Sequence, residues 1–527
     1  MQIRQKLLLG VLSVLFAGIA FAEDSGAPRF EITRFVVEGN ALLQPEKIEQ
    51  RVAPFTGKDK NFADVQDALE ALQAAYKEQG YTAVQVLLPE QELEQGVIHI
   101  RVIEGYIAKV TVKANQHHDA ENIRNSLPAI AEGQPPHSGR LAAALRVANE
   151  NPSKRVTLLF KDGAKEKDID ITLDVADENP QKFFVSLDNS GTHQTGDYRL
   201  GIGYQHANLF NRDQVLTMQL ITSPEKADQV KIFGAGYRIP LYRYGDMLEL
   251  VAGYSDVNAG VVQDLFNVSG SGTVLGAHYN HFLDRVGDSY DHKLIYGLDY
   301  RAFSNNVTML GAATQLIPDI TVHPLSLAYH GNWHLAAGSE LGFSLSVAQN
   351  LPGGSLGRSA DFQALRAPAT ANYRIYRYGM NWAHSWSGDW QARVALQGQE
   401  TPDALVPGEQ FGAGGADSVR GFNEREIAND HGYRSSLEGY TPDFGSDLGS
   451  ADLRLRGLAF FDNANVRRNA VLPGESAGQS ISSVGLGLRM NHGDNLSVRA
   501  DLAQVLDGSD ARRSGSNILH VGMAYLF

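Results

Sequence analysis

Ile481-Ser482-Ser483-Val484-Gly485-Leu486-Gly487-Leu488-Arg489-Met490 is followed, after the turn Asn491-His492-Gly493-Asp494, by Leu496-Ser497-Val498-Arg499-Ala500-Asp501-Leu502. In the first run Val484, Leu486, Leu488 and Met490 have one parity, and Ser483, Gly485, Gly487 and Arg489 the other. In the second, Leu496, Val498, Ala500 and Leu502 oppose Ser497, Arg499 and Asp501. Side chains alternate across a strand, so each run is a strand with one apolar and one polar face. Two structures satisfy that pattern: a β-sandwich with one face in solvent, or a membrane barrel with lipid outside and a polar lumen.

Working back along the chain, the same pattern recurs sixteen times from Phe183 onward, with no good helix signal between. The runs start near Phe183, Tyr198, Gln214, Gln229, Asp246, Gly272, Tyr290, Thr321, Glu340, Asn372, Trp390, Tyr433, Gly449, Ser480, Asn495 and Gly515. An even number of antiparallel strands returns the chain to its starting side. Short links such as Asn211-Arg212-Asp213 suit turns on one side, and long ones such as Pro352 to Arg366 suit loops on the other. In the run from Leu453, Leu455, Ala459 and Phe461 share the apolar face, while Arg454, Arg456 and Asp462 share the polar one. The chain ends on Phe527, with Tyr525, Met523, Val521 and Leu519 alternating behind it.

The N-terminus, the strand count and the chain end together weigh against the sandwich. Arg4 and Lys6 precede an apolar run from Leu7 to Ala20, and Ala20-Phe21-Ala22 has the small-x-small form of a cleavage site. Residues 1–22 therefore read as a secretory signal peptide. No later stretch has the length of an apolar membrane helix, so a membrane form must be a closed barrel, which leaves no backbone group unpaired in lipid.

Composition narrows the function. A net charge of −14 gives no basic surface for nucleic acid. The absence of cysteine removes thiol nucleophiles, disulfides and thiolate metal sites. Asp443-Phe444-Gly445 reads as a turn, His117-His118 as an exposed loop pair, and Gly412 to Gly415 lacks the Lys-Ser/Thr ending of a phosphate loop. We expect no enzyme, no cofactor and no metal.

Between the signal peptide and the barrel, one order of elements occurs twice. A strand from Ile32 to Glu38, helices from Gln44 to Ala53 and Ala63 to Gln79, and strands from Thr82 to Leu88 and Val97 to Ile103 make the first unit. Val65, Leu69, Leu72 and Tyr76 give the longer helix its apolar face, and Gly80 should end it. The second unit has a strand from Lys109 to Lys113, helices from Asp119 to Leu127 and Ser138 to Asn149, capped by Asp119 and Ser138, and strands from Arg155 to Lys161 and Asp168 to Val175. Phe35-Val36-Val37-Glu38-Gly39-Asn40 corresponds to Val110-Thr111-Val112-Lys113-Ala114-Asn115, 75 positions later.

One loop of the barrel stands apart: Phe411-Gly412-Ala413-Gly414-Gly415-Ala416-Asp417-Ser418-Val419-Arg420-Gly421-Phe422-Asn423-Glu424-Arg425-Glu426. Arg420 offers a planar fork of donors that suits a carboxylate. Phe460-Phe461-Asp462 supplies one, on the polar face of its strand. The Val-Arg-Gly-Phe loop, the Phe-x-Asp strand, the barrel pattern and the repeated units together resemble the superfamily of outer-membrane barrels with periplasmic POTRA domains. With two such units the chain is similar to the transporter partner of two-partner secretion, the haemolysin secretion/activation family.

That resemblance implies a mainly β chain: a POTRA domain at 30–104, a second at 106–178, and a 16-stranded antiparallel transmembrane barrel at 183–527. It implies that the loop near 411–432 folds into the lumen, where Val419, Arg420, Gly421 and Phe422 meet Phe460 and Asp462 and gate transport. Water in the lumen should make that pair weaker than a fully buried one. The resemblance also implies location in the outer membrane of a Gram-negative bacterium, with the POTRA domains in the periplasm. Tyr525 and Phe527 would present the barrel to the barrel-assembly machinery, and lipid would surround it. The cargo implied is a large unfolded exoprotein of adhesin or haemolysin type. A barrel-assembly insertase and a passive porin are the alternatives; the first would need a weak seam between the end strands, and the second would not need POTRA units.

Overall fold

A computed structural model describes residues 28–92, 95–262, 266–269, 271–304, 318–335 and 338–527. The expected signal peptide lies outside them. The described chain forms two compact bodies, one of residues up to 106 with 164–168, the other of 107–163 with 169–527.

In the first body, Arg34–Glu38, Val97–Glu104 and Val84–Leu87 form a sheet in the order first, last, middle. The first two are parallel and the last two antiparallel. Helices Pro45–Val52 and Phe62–Glu78 cover it, burying Ile48, Val65, Leu72 and Tyr76 against Ile98 and Ile100. Asn61 and Asp64 close a capping box at the start of the longer helix, and Gly80 follows its end at φ +82°. The strand expected from Ile32 to Glu38 is two strands. Phe30–Ile32 pairs with Gly57–Lys60, and the chain breaks at Thr33, whose N–H donates to Gly96 O at 2.8 Å. The Gly57–Lys60 strand carries no alternation in sequence and was not expected.

The second unit repeats the order with Tyr106–Lys113, Ala120–Asn125, Ser138–Ala148, Lys154–Asp162 and Asp168–Asp177. Its core joins Ile107, Ile123, Leu127 and Ala148 to Ile171, Leu173 and Val175. Asp119 caps the first helix as expected, but the cap of the second is His137, whose Nδ1 accepts from Arg140 N–H; Ser138 is already inside the helix. The expectation for the His117-His118 pair also needs correcting. His118 is 1% exposed, because its ring is drawn into a buried polar cluster with Asp177 and Ser153.

That cluster runs into the barrel. Lys154 Nζ pairs with Asp213 Oδ2, and the Tyr242 hydroxyl donates to the same carboxylate oxygen. Asn122 Nδ2 donates to Asn208 Oδ1 and Asn211 O, and Arg146 Nη1 to Leu283 O. The barrel turns after Leu209, Leu241 and Phe282 thus face the second unit. The turn Asn211-Arg212-Asp213 is therefore on the side expected of it.

Sixteen antiparallel strands, from Gln181–Asp188 to Asn517–Leu526, close a barrel. The eighth is interrupted at His323, so that Ile320–Val322 and Pro324–Leu335 both pair with Tyr290–Phe303. The alternation sets the faces. Leu486, Leu502 and Leu519 stand outward, Leu486 with 67% of its surface free for lipid, while Ser483, Asp501 and Asp462 point inward and are buried. Among the described residues no helix is long and apolar enough to cross a membrane. The seam joins Gly522–Leu526 to Asp188–Phe184, and the Asn189 side chain carries the pairing further, accepting from Val521 N–H and donating to Leu519 O, each at 2.8 Å.

The stretch from Pro352 to Arg366 is a long loop, as expected, but it holds a helix, Ser359–Leu365. Its Phe362 is fully buried with Tyr373, Leu405 and Val406. Seven residues with two apolar anchors, Phe362 and Leu365, are too few to show a helical period in sequence.

Candidate functional site

The eleventh strand, Gln391–Glu400, runs away from the second unit, so the chain from Thr401 to Asp430 starts on the far side. It then turns inward as a hairpin: Phe411–Ala413 pairs with Ile427–Asn429. Gly414 and Gly415 lie at φ +114° and +107°, a region that glycine takes without strain. Beyond them Val419 and Phe422 are fully buried against Ala464, Val466, Ile481 and Val505 on the inner wall. Gly421, at φ +95°, passes so near the wall that a Cβ there would stand 3.3 Å from Ala503 Cβ.

Those two apolar anchors aim Arg420 between them. Its Nε donates to Asp462 Oδ2 at 2.7 Å and its Nη2 to Asp462 Oδ1 at 2.8 Å, the fork that suits a carboxylate. The Arg420 backbone N–H donates to the same Oδ2 at 3.1 Å. Ser436 Oγ donates to Asp462 Oδ1 at 2.7 Å, and Arg420 Nη1 lies 2.8 Å from Glu438 Oε1. The guanidinium stacks on the Phe460 ring, 3.5 Å from its centroid. Gly421 N–H donates to His520 Nε2 at 2.8 Å.

Six of the expected site residues therefore meet at one place: Val419, Arg420, Gly421, Phe422, Phe460 and Asp462. The setting differs from the half-hydrated one expected. Arg420 is 4% exposed and Asp462 fully buried, with the Phe460 ring stacked on the guanidinium. Sequence reasoning did not connect to it Ser436, Glu438, His520 or Asp501, whose Oδ1 lies 3.7 Å from Arg420 Nη1. Asp501 showed the right signal, a polar residue on the inner parity. Tyr525 and Phe527 lie elsewhere, exposed on the outer face at the end of the last strand, with ring centroids 4.7 Å apart.

The base of the hairpin is tied differently. Asp430, fully buried, takes Arg366 on both oxygens and also accepts the N–H groups of Leu405 and Asn469, at 2.9 and 2.7 Å. Arg366 returns bonds to Leu405 O and Asn469 O at 2.7 and 2.8 Å. Here an ion pair between the side chains of two far-side loops ties the backbone at Leu405 to that of a third loop at Asn469. At the tip, most bonds run between side chains of the loop and of the wall.

A closed barrel with an apolar exterior, a polar lumen and one loop anchored inside it, preceded by α+β units, is an outer-membrane transporter of the POTRA-barrel class. Residues 167–490 match the family model described as haemolysin secretion/activation protein ShlB/FhaC/HecB, and residues 30–105 match the ShlB-type POTRA domain. The chain belongs to the haemolysin secretion/activation family, whose members sit in the outer membrane with their POTRA region in the periplasm. It is 21% identical over 485 residues to the heme/hemopexin transporter protein HuxB of Haemophilus influenzae, spanning 89% of this chain and 82% of that one. It is 24% identical over 438 residues to the outer membrane transporter CdiB of Escherichia coli, spanning 77% and 68%. The solved structure of CdiB from Escherichia coli superposes with a TM-score of 0.76 at 20% identity, over 96% of this chain and 92% of that chain.

Proposed function

We propose that this two-partner secretion transporter exports a single large exoprotein, of adhesin or haemolysin type, unfolded and through the barrel lumen. Residues 1–22 direct the chain to the periplasm. Residues 106–178 act as a second POTRA domain and, with the first, capture the passenger by adding its strands to their sheet edges. Tyr525 and Phe527 present the barrel to the assembly machinery, and the outer rows of leucine meet lipid. One observation carries the reading: the Arg420–Asp462 bonds hold the in-folded hairpin against the inner wall of a sixteen-stranded barrel, a size that leaves room for an extended chain once the hairpin moves.

The insertase alternative needs a seam that opens, and here the Asn189 side chain extends the seam's pairing. Comparing secreted and outer-membrane proteomes with and without residues 30–104 tests the proposal. We expect one large exoprotein to disappear from the medium while the barrel still inserts and other outer-membrane proteins keep their levels. General depletion of outer-membrane proteins would favour the insertase. Unchanged secretion would show the first POTRA unit to be dispensable.

A further inference from the structure

Two cavities of about 470 and 520 Å³ lie in the barrel on either side of the in-folded hairpin. Gly412, Arg425 and Arg434 line both, and so form the partition between them. Arg434 belongs to the wall strand His431–Tyr440 and Arg425 to the hairpin. Their hydrogen-bond acceptors are uncharged. Arg425 Nη2 donates to Gln410 O at 3.0 Å, and Arg434 Nε and Nη2 donate to Gln397 Oε1 at 3.0 and 2.6 Å. Neither forms an ion pair within 4.0 Å among the described residues.

Most of the neighbouring carboxylates are engaged elsewhere; among the described residues Glu424 pairs with no cation, and it attracts Arg434 from beyond ion-pair distance. Asp299 takes Arg301 at 2.7 Å and His278 at 2.8 Å, and Glu409 takes Arg301 at 2.9 Å with Arg377 at 3.8 Å. Asp417 pairs with Arg499, and Glu424 accepts Ala416 N–H at 3.0 Å.

The backbone is also set to aim Arg425. It lies at φ +51°, in the left-handed region that residues with a Cβ seldom adopt. Its side chain folds back over Gly412, where a Cβ would stand 2.7 Å from the Arg425 Cζ. A glycine at 412 is what leaves room for the guanidinium. Strain at one residue and a missing side chain at another converge on the placement of one cation.

We propose that Arg425 and Arg434 form an anion-selective constriction in the resting lumen, passing small inorganic anions in preference to cations. Fixed cations between walls of low dielectric raise the local anion concentration and repel cations, as rings of Arg or Lys do in anion pores. The chain's net charge of −14 would suggest the opposite preference. The inference does not depend on what the transporter exports.

The test is the reversal potential of the purified full-length protein in a planar lipid bilayer under a potassium chloride gradient. The wild type should favour chloride. Arg425→Gln with Arg434→Gln should bring the chloride-to-potassium ratio to unity or below, while Arg425→Lys with Arg434→Lys, which keeps both charges, should preserve the preference. A wild-type pore that favours potassium, or a glutamine variant with an unchanged ratio, would overturn the proposal. So would the absence of any resting current, since the cavities would then not communicate.

Discussion

The two N-terminal units share a device and use it to different ends. In the first, Glu104 at the end of the last strand accepts the N–H groups of Ala41 and Leu42, at 2.8 and 2.9 Å, fixing the loop after the first long strand. In the second, Asp177 does the same for Gln116, His117 and His118. The remaining partners differ. Glu104 also receives the Tyr76 hydroxyl at 3.0 Å, from a helix of its own unit. Asp177 receives the His118 ring, which leads through Ser153 to the buried Lys154 and so to Asp213 on the barrel. The first clamp closes a fold on itself. The second ties its fold to the pore. A repeated architecture can thus close once within its own unit and once onto the channel.

Breaking the link between the second unit and the barrel should have the largest effect. Lys154→Met leaves Asp213 buried with its charge unpaired, at a cost of about 3–5 kcal/mol. Hydrogen exchange should accelerate at 116–118 and 210–213 and stay unchanged in the first unit. Adding Asp213→Leu should restore much of the protection, because a buried pair replaced on both sides by apolar groups is often tolerated. The loop before each clamp gives a second comparison. Gly39 lies at φ +85°, and a Cβ there would stand 2.3 Å from Val102 O. Gly39→Ala should cost about 1–3 kcal/mol, read as faster exchange along 97–104. The corresponding residue of the second unit is Ala114, already held at φ +64°. Ala114→Gly should stabilise that unit by roughly 1 kcal/mol through relief of the left-handed strain.

The slightest change should come from pH. Burial, followed by the charge of Lys154, holds the His118 imidazole below its ordinary range. The unfolded chain then binds this proton at a higher pH than the folded one. Its stabilising contribution is complete above about pH 6.5 and is lost as pH falls through the folded value. Burial raises Asp177, but the three N–H groups outweigh it and hold the carboxyl low, so its contribution is also lost in acid. In the first unit the matching donor is the Tyr76 hydroxyl, which burial and then Glu104 push up, so it stays protonated. Mild acid should therefore loosen 116–118 before 41–42, as exchange rates at two pH values would show.

The barrel was legible because a strand writes its faces with a period of two, and sixteen such runs leave few other folds. The same parity put Asp462 on the inner wall within reach of Arg420. What parity cannot supply is register. Ser436 and Glu438 join the Arg420 site because their strand pairs Ser436 with Asp462 and Glu438 with Phe460, and nothing local to either stretch announces that. Lys154 and Asp213 escaped for a related reason: they are 59 positions apart, in a unit and a turn read separately. The clamp escaped because the opening strands repeat 75 positions apart while Glu104 and Asp177 do not keep that spacing. His118 was misread because a polar pair in a loop usually faces water, and only the Asp177 and Lys154 environment turns one of the two inward.

The proposed gating role of the Arg420–Asp462 pair is tested most directly by a double-mutant cycle on secretion. The amount of exoprotein in the medium is measured for Arg420→Ala, Asp462→Ala and the double variant, at equal levels of assembled barrel. Two residues that act as one unit should each cost nearly the whole effect, and the double variant should lose little more than either single. Arg420→Lys should recover part of the secretion, since an ammonium cannot reproduce the two parallel bonds to Asp462. Losses that simply add, or full secretion by Arg420→Ala, would contradict the account and leave Arg420 an ordinary residue of a loop.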